Sequence, residues 1–266
     1  MAIPVKMLSL FRDPMGLEPF EIEGDVLVNK TSHRSYPIKD SIPILLNETD
    51  LGPQNIKIQK MYQWMAAGFD FANRIGNLLS LGGITKLRRQ LASGLGLKPG
   101  DRVLYTSIGT GLDLPFLAGQ VPLDAIELVG LDLSLEMLRK CQLKMRAYEK
   151  TSLLVQANAE RLPFADGAFD VVLHVGGINQ FDRPAVAVQE MIRVAKPGVR
   201  IVIADETKGV VKSQYQKYNP FTRSTFKNMP TDFDPRDWIP AGIRDVVYQE
   251  AAKGKIYFLT FKSPLH

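Results

Sequence analysis

The sequence predicts an α/β fold, and three observations carry that prediction. The apolar run Val103-Leu-Tyr-Thr enters a glycine turn, Ser107-Ile-Gly-Thr-Gly111, ahead of a helix. A second apolar run ends in Asp132, 21 residues beyond the last glycine of that turn. Strand-like and helix-like segments then alternate as far as Lys196-Pro-Gly198, the pattern of an α/β chain. The first two features describe a nucleoside pocket. Glycine lets the backbone approach a ligand where a Cβ would block it, and a carboxylate at the next strand tip is placed to accept both hydroxyls of a ribose.

The spacing separates two cofactor classes. Dinucleotide sites use G-x-G-x-x-G/A, so that the helix N-terminus closes on a pyrophosphate. Here Gly109-Thr-Gly111 is followed by Leu112-Asp113-Leu114, and the third small residue is missing. S-adenosylmethionine has a ribose and an adenine but no phosphate, so it needs only the turn and the acid. The plainer alternative is a tight strand-to-helix turn with no ligand.

Each element follows in order. Residues 1–50 form an N-terminal segment with its own strand pattern, and helices are expected from about Ile56 to Leu95, within a helical lid segment spanning 51–95. The third domain, 96–266, contains the glycine turn. After Asp132, Ser134 is a good N-cap for a helix through Cys141. Ser152 to Phe164 reads as a short strand ending at Asn158-Ala159 and a proline-containing loop. Phe169 to His174 is the next strand and Ala185 to Ala195 the next helix, stopped by Lys196-Pro-Gly198. Val199 to Ala204 is a fifth strand, and Ile243–Glu250 and Lys255–Lys262 make a hairpin-like ending.

Taken jointly, Leu131-Asp-Leu-Ser-Leu-Glu-Met-Leu138, Asn158-Ala-Glu-Arg-Leu-Pro-Phe164, Phe169-Asp-Val-Val172 and Arg193-Val-Ala-Lys-Pro-Gly198 resemble the successive motifs of class I S-adenosylmethionine-dependent methyltransferases. The branch they resemble is the small-molecule one that includes the ubiquinone and menaquinone methyltransferases. The resemblance spans about residues 60 to 206. It implies a doubly wound, seven-stranded, mostly parallel Rossmann-like sheet whose last strands are antiparallel, with the ligand across the carboxyl ends of the strands. It implies S-adenosyl-L-methionine as cofactor, bound by Tyr62, Ser107, Gly109, Thr110, Gly111, Asp132, Leu133, Met137, Asn158, Ala159, Glu160, His174 and Val175. Asp132 would take the ribose hydroxyls, Leu133 and Met137 would pack near the adenine, Asn158 would accept from the adenine amino group, and Tyr62 would cover the methionine end.

Two positions depart from the family pattern. Tyr105 stands where the first strand usually has an acid, and Ser107 where the turn has its first glycine. Asp113 is a candidate replacement acid, although an acid in the first helical turn is equally explained by the helix dipole. His174 is the candidate general base if the acceptor must lose a proton; the alternative is a hydrogen-bonded wall residue. Asn179 and Gln180 face substrate or cap the next helix.

Between Thr207 and Thr231 five cations (Lys208, Lys212, Lys217, Arg223, Lys227) occur without an acid, with aromatic residues between them. A substrate lid over 207–240 with Tyr215 and Tyr218 facing a small aromatic or anionic acceptor is one reading. RNA is the other, ranked lower because Asp232, Asp234 and Asp237 follow at once. A solvated loop is the plain third.

Gly24–Val28 and Ser35–Leu46 more weakly resemble the zinc-ribbon-type domain that precedes some bacterial methyltransferases, but the chain's one cysteine, Cys141, lies in the core, so no zinc is expected. A composition of 45% hydrophobic and 23% charged residues with net charge +5 is that of an ordinary globular protein. No apolar run reaches membrane-span length and no secretory signal is read at the N-terminus, so a cytoplasmic enzyme is expected, its oligomeric state open. The expected activity is methylation of a small-molecule acceptor. The alternatives are a cofactor-binding protein of this fold that does not methylate (a rearrangement enzyme or a non-catalytic partner) and an RNA methyltransferase.

Overall fold

The structure is a computed structural model, and it describes residues 5–47, 51–148, 153–213 and 232–265. After a single helical turn α1 (Val5–Leu8), the strands β1 (Glu21–Glu23), β2 (Val26–Val28), β3 (Ser35–Lys39) and β4 (Ile42–Pro43) form an antiparallel sheet in that order. Two helices follow, α2 (Pro53–Leu79) and α3 (Gly83–Gly94). The main domain then runs β5 (Arg102–Thr106), α4 (Leu114–Ala118), β6 (Glu127–Asp132), α5 (Leu135–Arg146), β7 (Leu153–Gln156), β8 (Val171–Val175), α6 (Pro184–Val194), β9 (Arg200–Glu206), α7 (Lys208–Val210), β10 (Val247–Ala251) and β11 (Ile256–Lys262).

The seven strands of the main sheet lie in the order β10-β11-β9-β8-β5-β6-β7, parallel from β7 through β9, with β11 antiparallel to both its neighbours. β5 and β8 are neighbours at the point where the winding reverses, which is where open α/β sheets bind ligands. β5 is buried almost throughout, as expected of a parallel strand covered on both faces.

The local signals mostly hold. Ser134 caps α5, its hydroxyl accepting from the Met137 N–H at 3.4 Å. Gly198, at φ +72°, follows α6 where the chain must reverse. The first long helix begins earlier than its apolar pattern indicated, because Pro53 occupies its first turn and Asp182 accepts from the Gln54 and Asn55 N–H groups at 3.0 and 2.8 Å. That partner is supplied from more than a hundred residues away, which periodicity cannot show.

The N-terminal segment is fastened to the edge of the main sheet. Ile44 pairs with Gln156 beside β7, the Leu45 N–H donates to the Gln156 carbonyl at 2.8 Å, and Phe11 pairs with and stacks on Phe164. Phe11, Phe20, Leu27 and Tyr36 enter the same apolar core as Leu131 and Val155. The four-stranded sheet therefore covers an edge that would otherwise present unpaired backbone. Its own polar hub is Asp13, fully buried, which accepts from Asn29 Nδ2 at 2.6 Å, Tyr36 OH at 2.9 Å, Ser32 Oγ at 3.0 Å and the Met15 N–H at 2.9 Å. Burial alone would raise the Asp13 pKa; these donors outweigh it and the net shift is downward.

Candidate functional site

At the carboxyl ends of β5, β6, β8 and β9 the chain makes four turns that converge on one cleft. After β5, Ser107 (φ +59°) and Gly109 (φ +56°) are both left-handed, so the turn has the glycine-type conformation even though its first position is serine. A Cβ on Gly109 would meet nothing within 4 Å, so this glycine borders open space. Gly111 differs: besides its left-handed φ of +73°, a Cβ there would come within 2.7 Å of Leu114 on α4 and 2.8 Å of Cys141 Sγ on α5, so packing also requires glycine. After β8, Gly176 (φ +75°) and Gly177 (φ +97°) again border open space.

Asp132 ends β6 opposite the glycine turn. The Gly109 N–H donates to Asp132 Oδ2 at 2.8 Å and the Ser134 N–H to Oδ1 at 2.9 Å, and the Leu133 backbone also bonds the carboxylate, so both oxygens are oriented by backbone. Burial pushes the Asp132 carboxyl up to about 6 against the lowering effect of those N–H groups. Leu133 and buried Met137 lie on the next turn, and Gln156 Nε2 donates to the Leu133 carbonyl at 3.0 Å. Across the cleft Tyr62, on α2, lies among the carboxylates of Glu206, Asp205 and Asp132 and is hydrogen-bonded to Gln180; burial and those charges push its phenol upward and keep it protonated. Gln180 Oε1 is buried with no partner among the described residues.

The acid missing from the first strand has a replacement of different design. The Tyr105 hydroxyl donates to Asp113 Oδ2 at 2.5 Å, and Arg88 from α3 pairs with Asp113 Oδ1 at 2.5 Å. Asp113 is buried and makes no capping bond to α4, so its side chain serves this relay. Asp113 is thus committed beneath the turn and does not present a carboxylate to the cleft. Arg88 had no sequence signal, because only the tertiary fold brings α3 under the turn.

Several expected cofactor residues are occupied elsewhere. Glu160 is buried and accepts from Asn55 Nδ2 at 2.8 Å, the Arg183 N–H at 3.0 Å and Arg183 Nε at 3.0 Å, so it ties α2 to the loop before α6. Thr110 turns its hydroxyl outward to Asp70 on α2 at 2.5 Å, and Lys144 on α5 joins both. Asn158 Oδ1 accepts from the Glu160 N–H at 2.9 Å, leaving its amide half-buried at the end of the cleft near buried Ala159. Asn179 is buried and engaged internally, donating to the Glu206 carbonyl at 2.6 Å and accepting from Tyr257 OH at 3.1 Å.

The His174 ring is fully buried, with Nδ1 3.0 Å from Thr106 Oγ1 and its edge against Phe181, and burial pushes it down to about 3 despite a weak raising contact to the Gly176 backbone. A ring fully buried and held in this way fits the wall residue of the two readings better than the general base. Val175 packs into the second apolar cluster beside it. Tyr215 and Tyr218 lie outside the described residues. Asp205 and Glu206, at the end of β9, escaped the sequence reading because they look like ordinary strand-end acids. Asp205 Oδ2 accepts from the Gly177 and Asn179 N–H groups at 3.1 and 3.0 Å, while burial and Glu206 hold its pKa well above the usual carboxylate range.

The open cradle at Gly109, Gly176 and Gly177, the backbone-oriented carboxylate and the orphaned Gln180 oxygen together fit a nucleoside with a short polar tail. Comparison with known proteins agrees. Residues 104–203 match the family described as Methyltransferase domain. The chain is 30% identical over 215 residues to the ubiquinone/menaquinone biosynthesis C-methyltransferase of Geotalea uraniireducens, covering 79% of this chain and 90% of that one. It is 30% identical over 176 residues to a demethylmenaquinone methyltransferase of Renibacterium salmoninarum, covering 65% of this chain and 70% of the other. A solved S-adenosylmethionine-dependent methyltransferase from Aquifex aeolicus shares the fold, with a TM-score of 0.51 at 20% identity over 66% of this chain and 89% of that one. Fold and site define a class I S-adenosylmethionine-dependent methyltransferase, an enzyme whose cofactor is S-adenosyl-L-methionine. Within that class the chain belongs to the ubiquinone and menaquinone methyltransferase family.

Proposed function

We propose that the enzyme methylates a ring carbon of a quinone-type acceptor in its reduced, hydroxylated form. The observation that carries this reading is the identity to a C-methyltransferase across 90% of that relative's length. Those relatives also favour methyl transfer over the non-methylating reading, and a small acceptor over RNA.

In this reading S-adenosyl-L-methionine supplies a methyl group on a sulfonium whose thioether is the leaving group. The chain's own residues bind, orient and exclude water. Asp132, oriented by its backbone donors, accepts the ribose hydroxyls. Leu133, Met137, Ala159 and Asn158 line the adenine end, and Gly109, Gly176 and Gly177 leave room for the remainder. Tyr62 shields the transfer zone as a neutral hydroxyl.

The net reaction exchanges a ring hydrogen for a methyl group and releases one proton. Loss of the proton from a ring hydroxyl makes the adjacent carbon nucleophilic, so a base helps. Glu206, half-buried at the cleft wall beside Tyr62, suits that role better than the fully buried His174. The described residues 5–47 cover the edge of the main sheet beside β7.

The test is transfer of a carbon-13 methyl group to a short-chain demethylmenaquinol, with the product read by mass spectrometry and carbon NMR. A new ring-methyl signal is the expected result. Methyl found on oxygen, or no product in the presence of bound cofactor, overturns the assignment. Glu206→Gln is expected to lower kcat by about 10²-fold or more with little change in cofactor affinity.

A further inference from the structure

Helix α2 has its faces arranged in an unusual way. One side carries Ile58, Gln59 and Ala66 against the body of the protein and Tyr62 toward the cleft. At about 100° per residue the opposite side brings Trp64, Phe71, Ile75 and Leu78 into one stripe, with Lys57, Lys60 and Arg74 on the same face. All seven are exposed, Trp64 by 83%, and the turn into α3 adds exposed Leu79 and Leu81, the latter 95% exposed. A helix on the outside of a globular protein ordinarily turns charged and polar side chains to water. A contiguous apolar stripe there marks a surface meant to be covered.

Charge identifies the occupant. Between residues 53 and 94 the one acid is Asp70, and it is paired with Lys144 at 2.7 Å. Lys57, Lys60, Arg74, Lys86 and Arg89 are exposed around the apolar stripe. A second copy docked through a two-fold axis would bring these cations together with no acid to neutralise them. An anionic bilayer answers every element: leucines and phenylalanine at the acyl boundary, tryptophan at headgroup level, and lysines and arginines reaching phosphates. We propose that the outer face of α2 and the α2–α3 turn dock the enzyme on an anionic phospholipid surface. Because Tyr62 lies on the inner face of the same helix, docking sets the wall of the cleft against the bilayer. The proposal does not depend on which acceptor is methylated.

The experiment uses the full chain carrying Trp238→Phe, which leaves Trp64 as its one tryptophan. Vesicles of phosphatidylcholine alone are compared with vesicles holding about one third phosphatidylglycerol, at low and physiological salt. The expected result is cosedimentation with the anionic vesicles and a blue shift of Trp64 emission, both weakening with salt. Replacing Lys57, Lys60 and Arg74 together by Gln is expected to weaken binding on the order of 100-fold. Phe71→Ser with Leu78→Ser and Leu81→Ser is expected to abolish the blue shift while circular dichroism and S-adenosylhomocysteine affinity stay as in the parent. No binding at low salt, or binding indifferent to both sets of substitutions, overturns the proposal. So does a parent dimer that the serine variant converts to monomer without any vesicle binding, which assigns the face to a second copy.

Discussion

Tyr105→Phe isolates the relay that replaces the missing first-strand acid. The substitution keeps the ring, which is 1% exposed, and removes only the hydroxyl that donates to Asp113 at 2.5 Å. Asp113 keeps its pairing with Arg88 but loses its second partner while remaining buried. A hydrogen bond to a buried charged group contributes about 1.5–3 kcal/mol net, so a destabilisation of about 2 kcal/mol is expected. For a domain of this size that is a fall in Tm of about 4–8 °C by differential scanning calorimetry. Because the relay lies beneath the glycine turn, S-adenosylhomocysteine affinity is expected to change by less than about threefold, an energy below 0.7 kcal/mol. Tyr105→Asp, which restores the family's usual acid, is expected to be worse, because it sets two buried carboxylates against one guanidinium and leaves the space of the ring empty. An unchanged Tm in Tyr105→Phe, or a large loss of cofactor affinity without loss of stability, would refute the reasoning.

Three further outcomes follow from the geometry. Ser107→Gly relieves a left-handed serine at φ +59°, and a gain of about 1 kcal/mol is expected in urea unfolding; a loss of stability there would mean that the hydroxyl has an essential partner. Glu160→Ala removes the acceptor of three hydrogen bonds from a buried site and is expected to cost about 2–4 kcal/mol, with S-adenosylhomocysteine affinity retained once folding is restored by temperature or osmolyte; selective loss of affinity would return Glu160 to the cofactor. Turnover of His174→Gln is expected to keep the pH dependence of the parent enzyme, since the buried ring stays neutral down to about pH 3; loss of the acidic limb from the profile would restore it as the base.

The sheet was legible because its signals are local. Apolar runs, the glycine turn, Ser134 ahead of its helix and Gly198 after another each announce themselves within a few residues, and the joint order of motifs set the topology. The position of Asp132 was readable for the same reason: a strand tip is a local feature. What stayed hidden depends on partners distant in sequence. Nothing near Tyr105 says that Arg88 will come under the turn, and nothing near Glu160 says that Asn55 and Arg183 will claim its oxygens. For His174 the pattern left base and wall residue both open, because a strand end says nothing about which way the ring is buried. Gly111 and Gly109 look alike in the sequence, yet one is packed against Cys141 and the other borders open space. The outward stripe on α2 fits a helical period equally well facing in or out, and only the fold showed which side meets water.

If the cleft at Asp132 is the nucleoside pocket, titration calorimetry of S-adenosylhomocysteine reads it directly. The parent enzyme is expected to bind in the micromolar range at pH 8, and Asp132→Ala at least about 100-fold more weakly, since two hydrogen bonds to a carboxylate are lost. The carboxyl is pushed up to about 6, and only its ionised form accepts from both hydroxyls. Parent affinity should therefore hold from pH 8 to 7 and fall about tenfold by pH 5, while the residual affinity of the variant stays flat. The same raised pKa means that the native state holds its proton longer than the unfolded chain, so the contribution of Asp132 to stability declines as pH rises from about 4 to 6. Equal affinity in parent and variant, or a parent affinity indifferent to pH between 8 and 5, would contradict that assignment of the cleft.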